Sequence, residues 1–368
     1  MNTEVNTNTN KVRYGFWMPI FGGWLRNVDD EKMYATFDYN KRLARRAEEI
    51  GFDISLLAEL NLNDIKGADA PVLECWTTSA ALAGVTEKLE LMNAIRPGFR
   101  LPAITAKMAA NIDQISGGRF SLNVVSAWWE QEMRQYGGEW IAHDKRYERT
   151  REFIEVMRGM WTEDEFDYEG AYYTIEKGHL EPKPIRKPGP TIYAGGESED
   201  AKNMIARHCD GYLMHGDTVE NVRPKVADME RRRQALGLSS MTYGIAAYVI
   251  CRKNEREVKE EIDRITNVKD AAGYFGFKDF TTQSQLEREL SLRDYSVSNR
   301  GLRTGLTGTP EQIAERIIEF RKAGVEIFLM QMSPMLEEME RFAEEVMPMV
   351  NAEFAAFETP ELALTIGH

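Results

Sequence analysis

Cysteine is scarce in this chain of 368 residues: Cys75, Cys209 and Cys251 lie far apart, with no CxxC pair and no Cys/His ligand spacing. Neither a disulfide framework nor a structural zinc site is suggested, and a reducing cytoplasm suits such usage. Long apolar runs are missing as well, since none approaches the ~18 residues of a membrane span. The polar start MNTEVNTNTNK lacks the apolar core of a signal peptide, and residues 1–10 read as a disordered tail. Positive charge is in deficit, with 46 Lys and Arg against 59 Asp and Glu, a formal −13. That balance argues against nucleic acid and against an anionic membrane surface as partners, and leaves small molecules. There is no GxSxG, no HExxH, no GxxxxGK[ST] and no GxGxxG opening a helix after a strand. The corresponding hydrolase, zinc-protease, nucleoside-triphosphate and dinucleotide sites are therefore not indicated, and any reducing equivalents must come from a separate protein or a less recognisable nicotinamide site.

What is present is a large apolar fraction, 43%, with 29% charged residues, enough for a sizeable core. The segments alternate strand and helix. Strands are expected at Arg13–Met18, Phe52–Ala58, Leu89–Ile95, Phe120–Val125, Thr191–Ala194, Gly211–Met214, Tyr243–Cys251 and Ile327–Met332. Helical patterns cover Met33–Ile50, Cys75–Ala83, Ile104–Ile115, Arg146–Trp161, Glu199–His208 and Pro310–Ala323, and Asp164–Ile175 reads as a hairpin around Gly170. About eight such units close best as a (β/α)₈ TIM barrel. The expected organisation is one domain over residues 11–368, interrupted by an irregular insertion or lid at about 256–304 whose charge and aromatics break the rhythm.

The stretch Asp113–Glu132, DQISGGRFSLNVVSAWWEQE, is the most informative. It reads as a helix end, a glycine turn, a buried strand and a polar, aromatic strand exit, where a parallel barrel delivers side chains to its site. The ordinary alternative is a plain α/β crossover. Further on, Gly195-Gly196-Glu197-Ser198 follows a strand and opens a helix, so its amides and the Ser198 hydroxyl suit a phosphate; a tight turn with a cap would look the same. His143-Asp144-Lys145-Arg146-Tyr147 starts a long helix, where Arg146 can pair with phosphate oxygens and Tyr147 can donate a hydroxyl, or the segment can be a solvated helix start. Trp17, Trp24, Trp128 and Trp129 stand at strand ends as a water-excluding wall or as core.

The ISGGR turn, the N-x-V-x-x-W strand end, H-D-x-R-Y and A-G-G-x-S occur in an order that resembles the bacterial-luciferase-like flavin monooxygenases, and the likeness extends over nearly the whole chain. Within that superfamily the WMPIFGGWL, NVVSAWW, DYSVSNRGLR and TGLTGTPEQIA segments look most like the reduced-FMN-dependent dimethyl sulfone monooxygenases. The alkanesulfonate monooxygenases carry Arg and His on the strand that here reads Gly244–Ile250, and the pyrimidine oxygenases a Lys where Leu60 stands, so both are weaker matches. The fold also houses deazaflavin-dependent dehydrogenases.

The resemblance implies FMN, used as FMNH2, held by Asn123, Glu132, Arg146, Tyr147, Gly195, Gly196 and Ser198. It implies O2 as co-substrate, a separate NAD(P)H:FMN reductase, a homodimer or homotetramer, and cleavage of a carbon–sulfur bond in a small organosulfur compound, dimethyl sulfone to methanesulfinate in the first instance. It also implies a non-proline cis peptide at Asn93–Ala94 or Ala94–Ile95. For the chemistry, Arg300 and Arg303 are candidates for a mobile clamp on the substrate oxygens, with surface ion pairing as the alternative. Trp128 is a candidate wall of the catalytic pocket, and His215 either a proton donor near neutral pH or a wall residue.

Overall fold

Strands buried on both faces can pack only between layers of side chains, and eight such strands occur among the described residues. The computed structural model describes residues 11–126, 129–268, 274, 276–283 and 289–355. Strands β1 (Arg13–Trp17), β2 (Ile54–Leu57), β3 (Glu90–Ile95), β4 (Phe120–Val124), β5 (Thr191–Ala194), β6 (Gly211–Met214), β7 (Thr242–Tyr248) and β8 (Ile327–Gln331) form a closed parallel barrel. Closure runs through β8 against β1, in the register Arg13↔Ile327 to Phe16↔Met330. Alternate residues point opposite ways. Ile54, Leu56, Met92, Ala94, Leu213 and Leu329 fill the barrel interior, whereas Leu57, Leu91, Leu122 and Phe328 join the larger core beneath the helices. At the amino-terminal end of the strands, Arg13 reaches Glu90 at 2.9 Å and Tyr193 at 3.4 Å, a polar plug across the barrel floor.

Helices α1 (Phe37–Glu49), α2 (Cys75–Ala83), α3 (Pro102–Ser116), α4 (His143–Thr162), α5 (Glu199–His208), α6 (Val219–Ala235), α7 (Pro310–Lys322) and α8 (Met335–Glu345) follow the eight strands in turn. The first starts later than its apolar pattern because the Thr36 hydroxyl accepts the Tyr39 N–H and caps the helix there, leaving Met33–Ala35 outside. The ISGGR turn is structural. Gly117 and Gly118 adopt φ of 69° and 88° to end α3, and the Arg119 guanidinium then donates to Leu89 O at 2.6 Å and Thr86 O at 2.9 Å, stitching two loops at the far end from the site. The hairpin is present as Phe166–Glu169 against Thr174–Gly178; the buried Glu152 carboxylate accepts the N–H groups of Ala171 and Tyr172 at 2.9 and 2.8 Å.

The irregular region is an insertion between β7 and α7. It begins where Ile250–Cys251 pairs with Thr307–Gly308 and contains helices Glu255–Thr266 and Phe277–Gln283, a turn at Leu292–Tyr295 and a 3₁₀ segment Ser298–Thr304. The expected non-proline cis bond is not found: the cis peptides of the described residues precede Pro182, Pro188 and Pro334. Met92–Ile95 instead keeps unbroken register with Ser121–Val124, a ladder with no bulge. No helix among the described residues is long and apolar enough to cross a membrane.

Candidate active site

At the carboxyl ends of the strands, under the insertion, lies a cavity of about 260 Å³. Its floor is apolar because the inward positions of the barrel are Leu56, Ala94, Leu213, Ala246 and Leu329, with Trp17 beside them. Phe280, Leu290, Tyr295 and Val297 of the insertion cover it. That cover is joined to the loop after β1: Nδ2 of Asn27 lies within 3.1 Å of Ile265 O, Tyr274 Oη and Ser296 Oγ, and the Arg26 guanidinium sits 3.9 Å from the Tyr295 ring centroid.

Charged groups stand just past the strands, and each arginine of the cavity wall is matched by a buried carboxylate. Arg26 pairs with Asp64 at 2.8 Å, Arg96 with Glu132 at 2.8 Å between Nη2 and Oε1, and Arg300 with Glu197. Glu59 accepts from the Arg96 amide and the Arg100 guanidinium. Burial pushes the Glu59 and Asp64 carboxyls above their usual range while those arginines pull them down. Arg26, Asp64, Arg96 and Glu59 carry little signal in the sequence: Arg96 and Glu59 stand within two residues of the end of an apolar strand, whereas Arg26 and Asp64 lie nine and seven residues past theirs.

A second group gathers at the start of α5. The Tyr147 phenol and the Ser198 hydroxyl are hydrogen-bonded to each other, and the Ser198 oxygen also accepts the Ala201 N–H at 3.3 Å as the helix cap. Tyr147, Gly195 and Gly196 lie on the cavity wall, and a Cβ at Gly195 would stand 2.7 Å from Leu213 O, so the loop hugs β6. Arg146 is buried beside them, its guanidinium 4.5 Å from the Trp140 ring centroid; burial and the neighbouring Arg149 lower its pKa. Ser198 and Arg146 therefore flank the wall rather than form it. This cluster of hydroxyls, glycine amides, a helix amino-terminus and a buried cation is chemically suited to an oxyanion such as phosphate.

Asn123, near the end of β4, lines the cavity with its Oδ1 buried and without a hydrogen-bond partner among the described residues. Gln331, the last residue of β8, also lines the cavity, and its buried Nε2 has no hydrogen-bond partner among the described residues. Glu132, expected to face the ligand, is instead completely buried behind the wall, where Arg96 takes both its oxygens. Trp17 lines the cavity, whereas Trp24 and Trp129 are buried off the wall and Trp128 lies outside the described residues.

Arg300 and Arg303 separate. Arg303 is tied to Asp294 at 2.7 and 3.0 Å, is part-exposed and is off the wall, the ordinary ion pair rather than a clamp. Arg300 does line the cavity, but on a rigid mount. Asn299 and Arg300 hold φ of 56° and 57°, the Gly216 N–H donates to Asn299 O at 2.9 Å, and a Cβ on Gly301 would meet the Tyr248 amide at 2.6 Å. His215 also faces the cavity. Burial, and then the Arg300 cation, push its pKa down to about 4, so at neutral pH it is a neutral imidazole and not the proton-donating imidazolium expected from its unperturbed value.

The family description of luciferase-like monooxygenases matches residues 17–326. A curated relative from Pseudomonas putida, an FMNH2-dependent dimethylsulfone monooxygenase, is 35% identical over 92% of this chain and 95% of its own length. A protein of the same description from Pseudomonas fluorescens (strain Pf0-1) is 34% identical over 92% and 94%. Among solved structures, a long-chain alkane monooxygenase superposes with a TM-score of 0.80 at 19% identity, covering 93% of this chain and 92% of that one, which is a likeness of fold. The order of strands, the cavity at their carboxyl ends and these matches place the chain in the luciferase-like monooxygenase family.

Proposed function

We propose that this chain is the oxygenase of a two-component system: it takes reduced FMN from a separate NAD(P)H:FMN reductase and, with O2, cleaves a carbon–sulfur bond in a small uncharged organosulfur compound, dimethyl sulfone first among them. Reduced FMN, when bound, supplies the two electrons that activate oxygen. The residues fit that group. Ser198, Tyr147, the glycine amides and Arg146 offer donors and positive charge for its phosphate, and the unpartnered Asn123 Oδ1 offers an acceptor to a ring N–H. The apolar floor and the covering insertion keep water from the reacting centre.

The observation that carries the substrate class is the charge balance of the wall. Arg26, Arg96 and Arg300 each face a buried carboxylate, so a sulfonate would find no uncompensated cation, whereas a sulfone needs only hydrogen bonds to its oxygens. The relatives named as dimethylsulfone monooxygenases agree with this reading. The balance of the reaction is dimethyl sulfone, O2, two electrons and two protons to methanesulfinate, a proton, formaldehyde and water.

The test mixes the protein anaerobically with chemically reduced FMN, then adds oxygen and a panel of sulfones, sulfonates and pyrimidines. Mass spectrometry should find methanesulfinate and formaldehyde from the sulfone. Sulfite from alkanesulfonates, or substrate oxidation that consumes no oxygen, would point to a different enzyme.

A further inference from the structure

The Glu197–Arg300 pair differs from the other two pairs in what it leaves bare. Arg300 is 3% exposed, yet Nε and Nη1 have no hydrogen-bond partner among the described residues; only Nη2 is engaged, by Glu197. Arg96, by contrast, has both terminal nitrogens on Glu132. Glu197 has a second cation nearby in Lys225 at 3.7 Å, but Lys225 lies closer, at 3.4 Å, to Asp217. Glu197 sits between Gly196 and Ser198 in the anion loop, and its own side chain is 6% exposed. His215, which feels both of these charges, is uncharged at neutral pH, and Arg303, which also feels Glu197, is held by Asp294.

Dimethyl sulfone and methanesulfonate differ by a methyl group exchanged for an oxygen anion. Shape separates them poorly, so charge has to do it. We infer that Glu197 is a specificity-determining residue: its carboxylate cancels the charge of Arg300 while leaving part of the guanidinium free to donate hydrogen bonds, so this wall accepts sulfonyl oxygens and selects against an anion of similar size. Glu59, Asp64 and Asp294, also on the wall, are each matched by an arginine and neither add to nor offset this selection. The inference rests on the substrate class proposed above. In the low-dielectric interior, an Arg300 stripped of its partner becomes an anion site.

Calorimetric titration of the full chain with oxidised FMN bound, using dimethyl sulfone and sodium methanesulfonate, tests this. Glu197→Gln should bind methanesulfonate about tenfold more tightly or better than wild type, the scale of one charge-assisted hydrogen bond, with sulfone affinity little changed. Glu197→Asp should keep the wild-type preference, and Glu197→Gln/Arg300→Gln should lose the gain. Should Glu197→Gln not fold, Arg300→Gln alone, which leaves the carboxylate in excess, should weaken methanesulfonate binding by about tenfold. Unchanged methanesulfonate affinity in Glu197→Gln, or in Arg300→Gln where Glu197→Gln does not fold, or a gain that survives in the double variant, overturns the role of Glu197. Failure of the wild type to bind dimethyl sulfone overturns the substrate reading instead, and the methanesulfonate arms still judge Glu197.

Discussion

Arg96 and Glu132 meet in a dry ion pair, their side chains 2% and 0% exposed, with Nη2 of Arg96 2.8 Å from Oε1 of Glu132. The same carboxylate accepts the Asn61 N–H, so it ties the exit of β3 to the loop after β2. Cutting either partner strands a charge where water cannot reach it.

Glu132→Ala should therefore destabilise the fold by about 3–5 kcal/mol, while a paired replacement such as Arg96→Met/Glu132→Leu should cost far less. Urea denaturation of the three proteins checks it. A Glu132→Ala stability within about 1 kcal/mol of wild type would show that the pair is not isolated from solvent.

At the anion cluster, Arg146→Ala should weaken FMN binding by about 1.5–3 kcal/mol, the range for a hydrogen bond to a charged group. Ser198→Ala should weaken it too and in addition loosen α5 by about 1 kcal/mol, because the hydroxyl is also the helix cap. Fluorescence titration with flavin measures the first effect and circular dichroism melting the second. An unaltered dissociation constant in Arg146→Ala would remove that residue from the phosphate site.

His215 predicts a pH dependence. Its folded pKa, about 4, lies below the unfolded 6.5, so between these values the unfolded chain binds the extra proton and stability falls as the pH drops. The loss attributable to this group is on the order of 2–3 kcal/mol by pH 4. It should be absent from His215→Gln when the two proteins are unfolded in urea across pH 4–7. Parallel pH profiles would mean the imidazole is not held neutral.

Gly301→Ala should displace the mount of Arg300, because the added Cβ has only 2.6 Å to the Tyr248 amide. Reduced FMN and oxygen should then give more H2O2 and less sulfinate in this variant and in Arg300→Ala, with FMN affinity nearly intact. Arg303→Ala should stay coupled, since its side chain serves Asp294 away from the wall. Equal leakage of peroxide in Arg303→Ala and Arg300→Ala would restore the two-arginine clamp.

The barrel was legible in the chain because parallel strands announce themselves as short apolar runs. Thr191–Ala194, Gly211–Met214 and Cys75–Ala83 begin and end where turn and capping residues place them. Tyr147 and Ser198 could be paired in advance only through family likeness, since 51 positions separate them in sequence and barrel curvature alone brings them together. The placement of Glu132 was hidden for a related reason: an acid shortly after a strand exit can face the cavity or turn behind it, and its partner Arg96 lies on a different strand's exit. The separation of Arg300 from Arg303 was equally hidden. Three residues apart in sequence, they part company because the left-handed backbone at Asn299 and Arg300 turns one inward while Asp294 holds the other outside.

That left-handed step has a consequence in time. An arginine at φ of 57° is strained by roughly 1 kcal/mol or more, and here the strain is incurred once, when main chain closes on main chain at Gly216 and Gly301 during folding. Nothing further is needed when a ligand arrives. Recognition at this wall is then a filling step rather than a remodelling one, so the speed of encounter should be set by passage through the mouth of the cavity, and the selectivity of the wall should be as sharp for the first molecule that enters as for the last.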